Sequence, residues 1–208
     1  MFEWTLISFY TPLYEPLAMR LRSSCEKWKV PHYIVPLDSE ATWEENCSLK
    51  SRFVLETLEK FKSPLLWVDA DAELIQPPPT HFPHEFATVI HAELPEDHPS
   101  KVVSCVIYVT HTPHTLSLLK KWIERCDAYG GKEWDQISLK EALLGENIPS
   151  LPKEFSMIYD RLEEGDEPII LHYQASRLYK KIINGEVAPF LTLLSKSEED
   201  QDNLKLEF

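Results

Sequence analysis

The stretch that decides the fold is LLWVDADAELI, at residues 65–75. Its first four residues are apolar and predict a short buried strand, which runs directly into two carboxylates, Asp69 and Asp71. If the backbone stays extended, the two-residue period of a strand places both carboxylates on one side of the chain. Such a pair suits a hard divalent cation, which prefers oxygen ligands. An acidic turn is the alternative interpretation, because Asp is also common in turns.

The chain before this stretch alternates between strand and helix patterns. Residues 5–10 are rich in β-branched and aromatic side chains, residues 14–28 carry an apolar stripe at helical spacing, and residues 32–36 predict a second strand. This order predicts a parallel sheet with right-handed crossovers. Because ligands bind at the C-terminal ends of such strands, residues 8–11 are expected at the same edge as the two carboxylates.

Three later segments complete the predicted sheet and its cover. Residues 49–61 predict a helix with Lys50 in its first turn, where a positive charge opposes the helix dipole. Residues 102–109 predict an almost wholly apolar strand, which indicates an interior position. Between the strands, residues 92–101 are acidic and polar, and we expect a mobile loop there.

Length and charge limit the class of protein. The 208 residues predict a single α/β domain over residues 1–194 and a polar tail over residues 195–208, whose composition is typical of disorder. The net charge of −13 argues against nucleic acid as a partner, because phosphate backbones are bound by basic surfaces. An anionic small molecule could bind to such an acidic chain only with a local cation that reverses the field.

Composition excludes several other arrangements. The five glycines form no Gly-rich phosphate-binding loop. No apolar run is long enough for a transmembrane helix, and the N-terminus is unlike a secretory signal. The four cysteines are scattered, which is typical of reduced thiols. We therefore expect a cytoplasmic protein without a transmembrane segment.

The landmarks together resemble the GT-A nucleotide-sugar glycosyltransferases over most of residues 4–177. The segment Asp69-Ala70-Asp71 resembles their DxD motif, whose carboxylates engage a Mn²⁺ or Mg²⁺ ion bound to the donor diphosphate. The resemblance implies an α/β fold with a mostly parallel central sheet flanked by helices. It also implies a metal-dependent enzyme that moves a sugar from a nucleoside-diphosphate sugar to a hydroxyl acceptor.

The resemblance also implies roles for residues in the first half of the chain. Ser8, Tyr10 and Thr11 lie in a segment similar to the loop that holds the nucleoside, with Asp69 as a second candidate for the ribose. Residues 43–46, followed by Lys50, are similar to the stretch that precedes the DxD strand.

Further roles fall in the second half. Asp135 and Gln136, preceded by a tryptophan, resemble the acceptor-side or catalytic DQ motif, and their likeness to retaining members favours retention of configuration. His172 resembles the late histidine that completes the metal site with Asp69 and Asp71. Ser176 and Arg177 follow it as in the C-terminal segment of the family. The chain departs from the family at residues 104–105, Ser-Cys, where many relatives have a glycine, which alters the sugar pocket.

Several alternatives stay open. His172 is either a metal ligand or a hydrogen-bonded residue at a strand end, and Asp135 is either a catalytic group or a helix N-cap. Lys50 and Arg177 are either phosphate ligands or solvated charges, although the Arg fork matches a phosphate. For the whole chain, one alternative is a phosphohydrolase of the haloacid-dehalogenase type, which also places Asp-x-Asp after an apolar strand but differs at Glu73. Another is a nucleotide-sugar-binding protein without catalysis.

Overall fold

A computed structural model describes residues 1–183, without the side chains of Leu178 and Lys181. The predicted boundary at residue 194 and the polar tail, 195–208, lie outside these residues. The strands of the described chain are β1 (Thr5–Tyr10), β2 (His32–Pro36), β3 (Leu65–Val68), β4 (Ala72–Leu74), β5 (Phe86–Ile90), β6 (Val102–Val109), β7 (Met157–Ile158) and β8 (Ile170–His172). Its α-helices are α1 (Glu15–Trp28), α2 (Trp43–Phe61), α3 (Pro113–Tyr129), α4 (Asp135–Ala142) and α5 (Ser176–Ile183).

The central sheet has the strand order β2-β1-β3-β6-β5. Strand β1 pairs in parallel with β2 and β3, whereas β6 runs antiparallel to both of its neighbours, β3 and β5. All strands except β6 therefore run in one direction, which confirms the mostly parallel sheet. Strand β6 occupies the expected interior position but is reversed. A loop without a helix, residues 91–101, joins β5 to β6, and such a loop suits antiparallel neighbours, since parallel strands usually need a helical crossover.

Helices cover both faces of this sheet, as predicted. Successive residues of β1 point to opposite faces, so Leu6 packs in the core under α1 and Ile7 packs in the core under α2, α3 and α4. Leu21 of α1 belongs to the first core, and Leu58 and Leu118 belong to the second. None of the helices in the described part of the chain combines the length and apolar character needed to cross a membrane.

Helix α2 begins at Trp43, six residues before the predicted start at residue 49. Thr42 and Glu45 form a capping box: the Thr42 hydroxyl accepts a hydrogen bond from the Glu45 amide at 3.2 Å, and the Glu45 carboxylate accepts one from the Thr42 amide at 2.9 Å. The polar composition of this turn led to the prediction of a loop. Lys50 consequently lies inside the helix, and the prediction that places it in the first turn is wrong.

A second, smaller sheet has the order β4-β8-β7 and brings the end of the chain to the two carboxylates. The chain leaves the central sheet after β3 and makes a turn at residues 70–71, so the premise of a continuously extended backbone is wrong. Strand β4 then pairs antiparallel with β8, with Ala72 opposite His172. This pairing brings the segment at His172 and Tyr173 to the backbone at Asp71 and Ala72, although the two segments are about a hundred positions apart in sequence.

Candidate functional site

A cavity of about 530 Å³ opens at the C-terminal ends of β1 and β3. Of the residues singled out in the sequence, those that line it are Tyr10, Thr11, Lys50, Asp69, Asp71, Asp135, Gln136, His172, Ser176 and Arg177. The structure corrects the expectation for Ser8. Its side chain is fully buried within β1 and does not line the cavity, so it offers a nucleoside no direct contact.

Lys50 joins two of the carboxylates at this cavity. Its Nζ lies 2.8 Å from Asp69 Oδ1 and 2.7 Å from Asp135 Oδ2, and it donates a hydrogen bond to the carbonyl of Ser104 at 3.2 Å. The residue is only 6% exposed. Burial by itself lowers the pKa of Lys50, but Asp135 and Asp69 outweigh burial and hold the pKa above its ordinary value of 10.5. Lys50 is therefore a buried ammonium group with two counter-charges, and the solvated-lysine alternative is wrong.

Asp69 is held from two sides. Besides its ion pair with Lys50, its Oδ1 accepts a hydrogen bond from the indole Nε1 of Trp67 at 2.9 Å. Its backbone amide donates to the carbonyl of Cys105 at 3.0 Å, which continues the β3–β6 pairing by one residue. The side chain of Asp69 stays 30% exposed, so it can face a ligand in the cavity.

Asp71 is buried more deeply, and its environment disfavours the charged form. Its Oδ2 accepts a hydrogen bond from the Ala175 amide at 2.8 Å, and its carbonyl accepts one from the Tyr173 amide at 2.9 Å. Burial, followed by the nearby charge of Asp69, raises the pKa of Asp71 from 3.8 to about 6. The site thus keeps a buried carboxylate at neutral pH without a full counter-charge.

His172 presents one ring nitrogen to the site. Its Nε2 lies 3.1 Å from the carbonyl of Phe155, which fixes Nε2 as the protonated, donating nitrogen. The other nitrogen, Nδ1, is buried and has no hydrogen-bond partner. Burial lowers the pKa of His172, so the imidazole is neutral at neutral pH and Nδ1 carries a free lone pair. A buried nitrogen of this kind needs a partner from outside the chain.

The expected metal ligands are not assembled into one group. Within residues 1–183, no three His, Cys, Asp or Glu side chains lie close enough together to hold a metal ion. Oδ1 of Asp69 is occupied by Lys50 and Trp67, whereas Asp71 and His172 line the cavity without a cationic partner from this part of the chain within salt-bridge distance. Cys105 lies near His172, with its Sγ 3.6 Å from Nε2, but burial raises the pKa of this thiol and keeps it protonated.

Asp135 and Gln136 take different positions. Helix α4 begins at Asp135, its N-cap is Trp134, and no side chain caps it, so the N-cap alternative for Asp135 is wrong. The Asp135 carboxylate instead faces Lys50. Gln136 donates from Nε2 to the carbonyl of Pro99 at 3.0 Å, which anchors the segment expected to be a mobile loop.

The remaining predicted residues lie around the rim and the nucleoside end. Tyr10 is the last residue of β1, Thr11 follows it, and both are buried, whereas Ser176 is the first residue of α5. The guanidinium of Arg177 forms an ion pair with Asp160, with both side chains about one-third exposed. A phosphate would therefore compete with Asp160 for Arg177.

Sequence reasoning missed an aromatic wall of the cavity. Trp134 is 41% exposed, and its ring lies 6.4 Å from that of Trp43 at an interplanar angle of 56°. The Nζ of Lys180 lies 5.0 Å from the centre of the Trp43 ring, and the Trp43 indole donates to the hydroxyl of Tyr14 at 3.3 Å. Both tryptophans lie in segments singled out in the sequence, and each stands among polar residues outside any apolar periodicity. That position could have indicated a side chain that faces a ligand.

Comparison with known proteins adds one finding. No protein-family model matches the sequence, and no curated protein matches it. Among solved structures, the chain is similar to a glycosyltransferase involved in the glycosylation of the major capsid of PBCV-1, with a TM-score of 0.67 and 15% identity over 88% of this chain and 99% of that one. This likeness favours the glycosyltransferase interpretation over the haloacid-dehalogenase alternative at the level of fold. The chain therefore has a glycosyltransferase fold, as the resemblance in its sequence predicted.

Proposed function

We propose that the chain is a metal-dependent glycosyltransferase that moves a sugar from a nucleoside-diphosphate sugar to a hydroxyl acceptor. Two findings support this proposal: the fold, and one cavity that gathers the carboxylates, the lysine and the histidine that the sequence singled out. An acidic chain can bind a diphosphate only where cations reverse the local field. A metal ion would supply that positive charge, together with Arg177 once a phosphate displaces Asp160 from it, whereas the charge of Lys50 is already matched by Asp69 and Asp135.

The observation that carries the proposal is the unpartnered Nδ1 of His172. His172 lines the cavity, and the hydrogen bond from Nε2 to the Phe155 carbonyl orients the ring in the way that metal-binding histidines are usually held. Asp71, in the turn before β4, lines the same cavity and carries an anionic oxygen. Asp71 and His172 would be the side chains that hold a divalent cation, and a ligand set with a nitrogen favours Mn²⁺ over Mg²⁺. When bound, the ion would neutralise charge on the donor diphosphate.

The transfer reaction itself would proceed in the cavity as follows. An oxygen of the acceptor forms a bond to the anomeric carbon while the bond from that carbon to the diphosphate oxygen breaks, and the electron pair leaves with the nucleoside diphosphate. The hydroxyl proton passes to an oxygen of the leaving diphosphate, in line with the retaining outcome that the DQ motif favours. Asp135, held by Lys50, would fix the acceptor side of the cavity at the start of α4.

A binding screen tests this function. We expect thermal-shift measurements with UDP-, GDP- and CMP-sugars to show stabilisation by at least one donor only when Mn²⁺ is present. The variant His172→Gln should lose the Mn²⁺ dependence, whereas Asp127→Asn, which alters only an exposed ion pair with Arg52, should behave as the parent does. Stabilisation of equal size with and without Mn²⁺, or an unchanged response in His172→Gln, would refute the metal site.

A further inference from the structure

The exposed face of Trp134 is the least explained feature of the cavity. Among the described residues, the other large apolar side chains left exposed are Met1, Leu144 and Leu162, and none of them lines the cavity. Trp134 alone of this group lines the cavity, with the ring of Trp43 beside it. An indole in such a place has an apolar face available to a ligand.

A row of contacts fixes where Trp134 lies relative to the rest of the site. Trp134 precedes Asp135, the carboxylate of Asp135 contacts Lys50, and Lys50 contacts Asp69, which lies two residues before Asp71. The aromatic wall and the candidate cation site therefore border the same cavity. With the diphosphate of a donor at Asp71, its sugar and the acceptor would share this cavity with Trp134.

We propose that Trp134, assisted by Trp43, is the platform on which the acceptor stacks, and that the acceptor is a carbohydrate. This inference rests on the proposed function for the direction of the donor. A pyranose ring has a face of C–H bonds, which packs on an indole, and an edge of hydroxyl groups, which hydrogen-bond to carboxylates. The exposed ring of Trp134 and the carboxylate of Asp69, which is 30% exposed in the same cavity, offer both kinds of surface. A peptide or a lipid would use the aromatic surface but would leave the carboxylate without a regular set of hydroxyl partners.

Direct binding tests the platform without any requirement for turnover. The probes are the methyl glycosides of glucose, galactose and mannose, together with lactose, maltose and cellobiose, measured by saturation-transfer NMR and tryptophan fluorescence. We expect at least one saccharide to bind the parent protein. Its affinity should fall about tenfold or more in Trp134→Ala and stay within about threefold in Trp134→Phe, which keeps an aromatic face. Leu144→Ala removes an equally exposed apolar side chain outside the cavity and should bind as the parent does.

Two outcomes would overturn the platform: no saccharide of the panel binds, or the affinity is unchanged in Trp134→Ala. Nucleotide-sugar binding with Mn²⁺, measured on the same proteins, separates this inference from the proposed function. Saccharide binding that depends on Trp134, without any nucleotide-sugar binding, would refute the glycosyltransferase proposal and leave a carbohydrate-binding site. Nucleotide-sugar binding without saccharide binding would refute the platform and leave the proposed function intact.

Discussion

Replacement of Asp71 by Asn should stabilise the protein while it removes a cation ligand. Burial and Asp69 raise the pKa of Asp71 from 3.8 to about 6, so folding disfavours its charged form. Since one pKa unit corresponds to about 1.4 kcal/mol, the ionised side chain costs the fold about 3 kcal/mol at pH 7.5. An Asn oxygen can still accept the hydrogen bond from the Ala175 amide, but its buried NH₂ group lacks a partner, and we expect a net gain of about 2 kcal/mol.

The sign of the pH dependence distinguishes this explanation from simple repacking. A raised pKa in the folded state favours folding fully below about pH 3, where Asp71 is protonated in both states, and this contribution disappears as the pH rises through about 6. Near pH 3 only the unpaired NH₂ group distinguishes Asp71→Asn from the parent, so the variant should be less stable by about 1 kcal/mol, and the difference should change sign and reach its full gain above about pH 7. Urea denaturation with EDTA present, at several pH values, measures it. A variant that is less stable than the parent at pH 7.5, or a difference that is independent of pH, would refute the reasoning.

Two other substitutions test the lysine and the carboxylate that it holds. Lys50→Met leaves the charges of Asp69 and Asp135 without their shared cation, so the free energy of unfolding at pH 7.5 should fall by about 3 kcal/mol. Lys50→Arg keeps a cation there and should lose less, and equal losses in the two variants would show that packing and not charge is responsible. Asp135→Asn removes one of the two carboxylates that hold Lys50, so it should lower stability measurably, retain donor binding and reduce transfer to an acceptor at least about tenfold. Full transfer activity in Asp135→Asn would restrict Asp135 to a structural role.

Much of the architecture depends on short stretches of sequence and could therefore be predicted from the sequence. The apolar run before Asp69 forms a buried strand because four successive apolar residues need cover on both faces. The strand, helix and strand that precede it form parallel pairs, because the helix between them supplies the crossover. The start of α2 was also present in the sequence as a capping box at Thr42 and Glu45, a signal that the polar composition of the turn obscured.

The chemistry of the site depends on contacts between distant segments, which no local pattern contains. His172 lines the same cavity as Asp71 because β8 pairs with β4, and its free Nδ1 follows from the position of the Phe155 carbonyl. Lys50 meets two carboxylates because α2 passes over the end of β3 and beside the start of α4. Sequence determined which charged residues the protein carries and which strands they follow. Tertiary structure decided their partners, because ion pairing, burial and the pKa of each group depend on the neighbours that folding brings within a few ångströms.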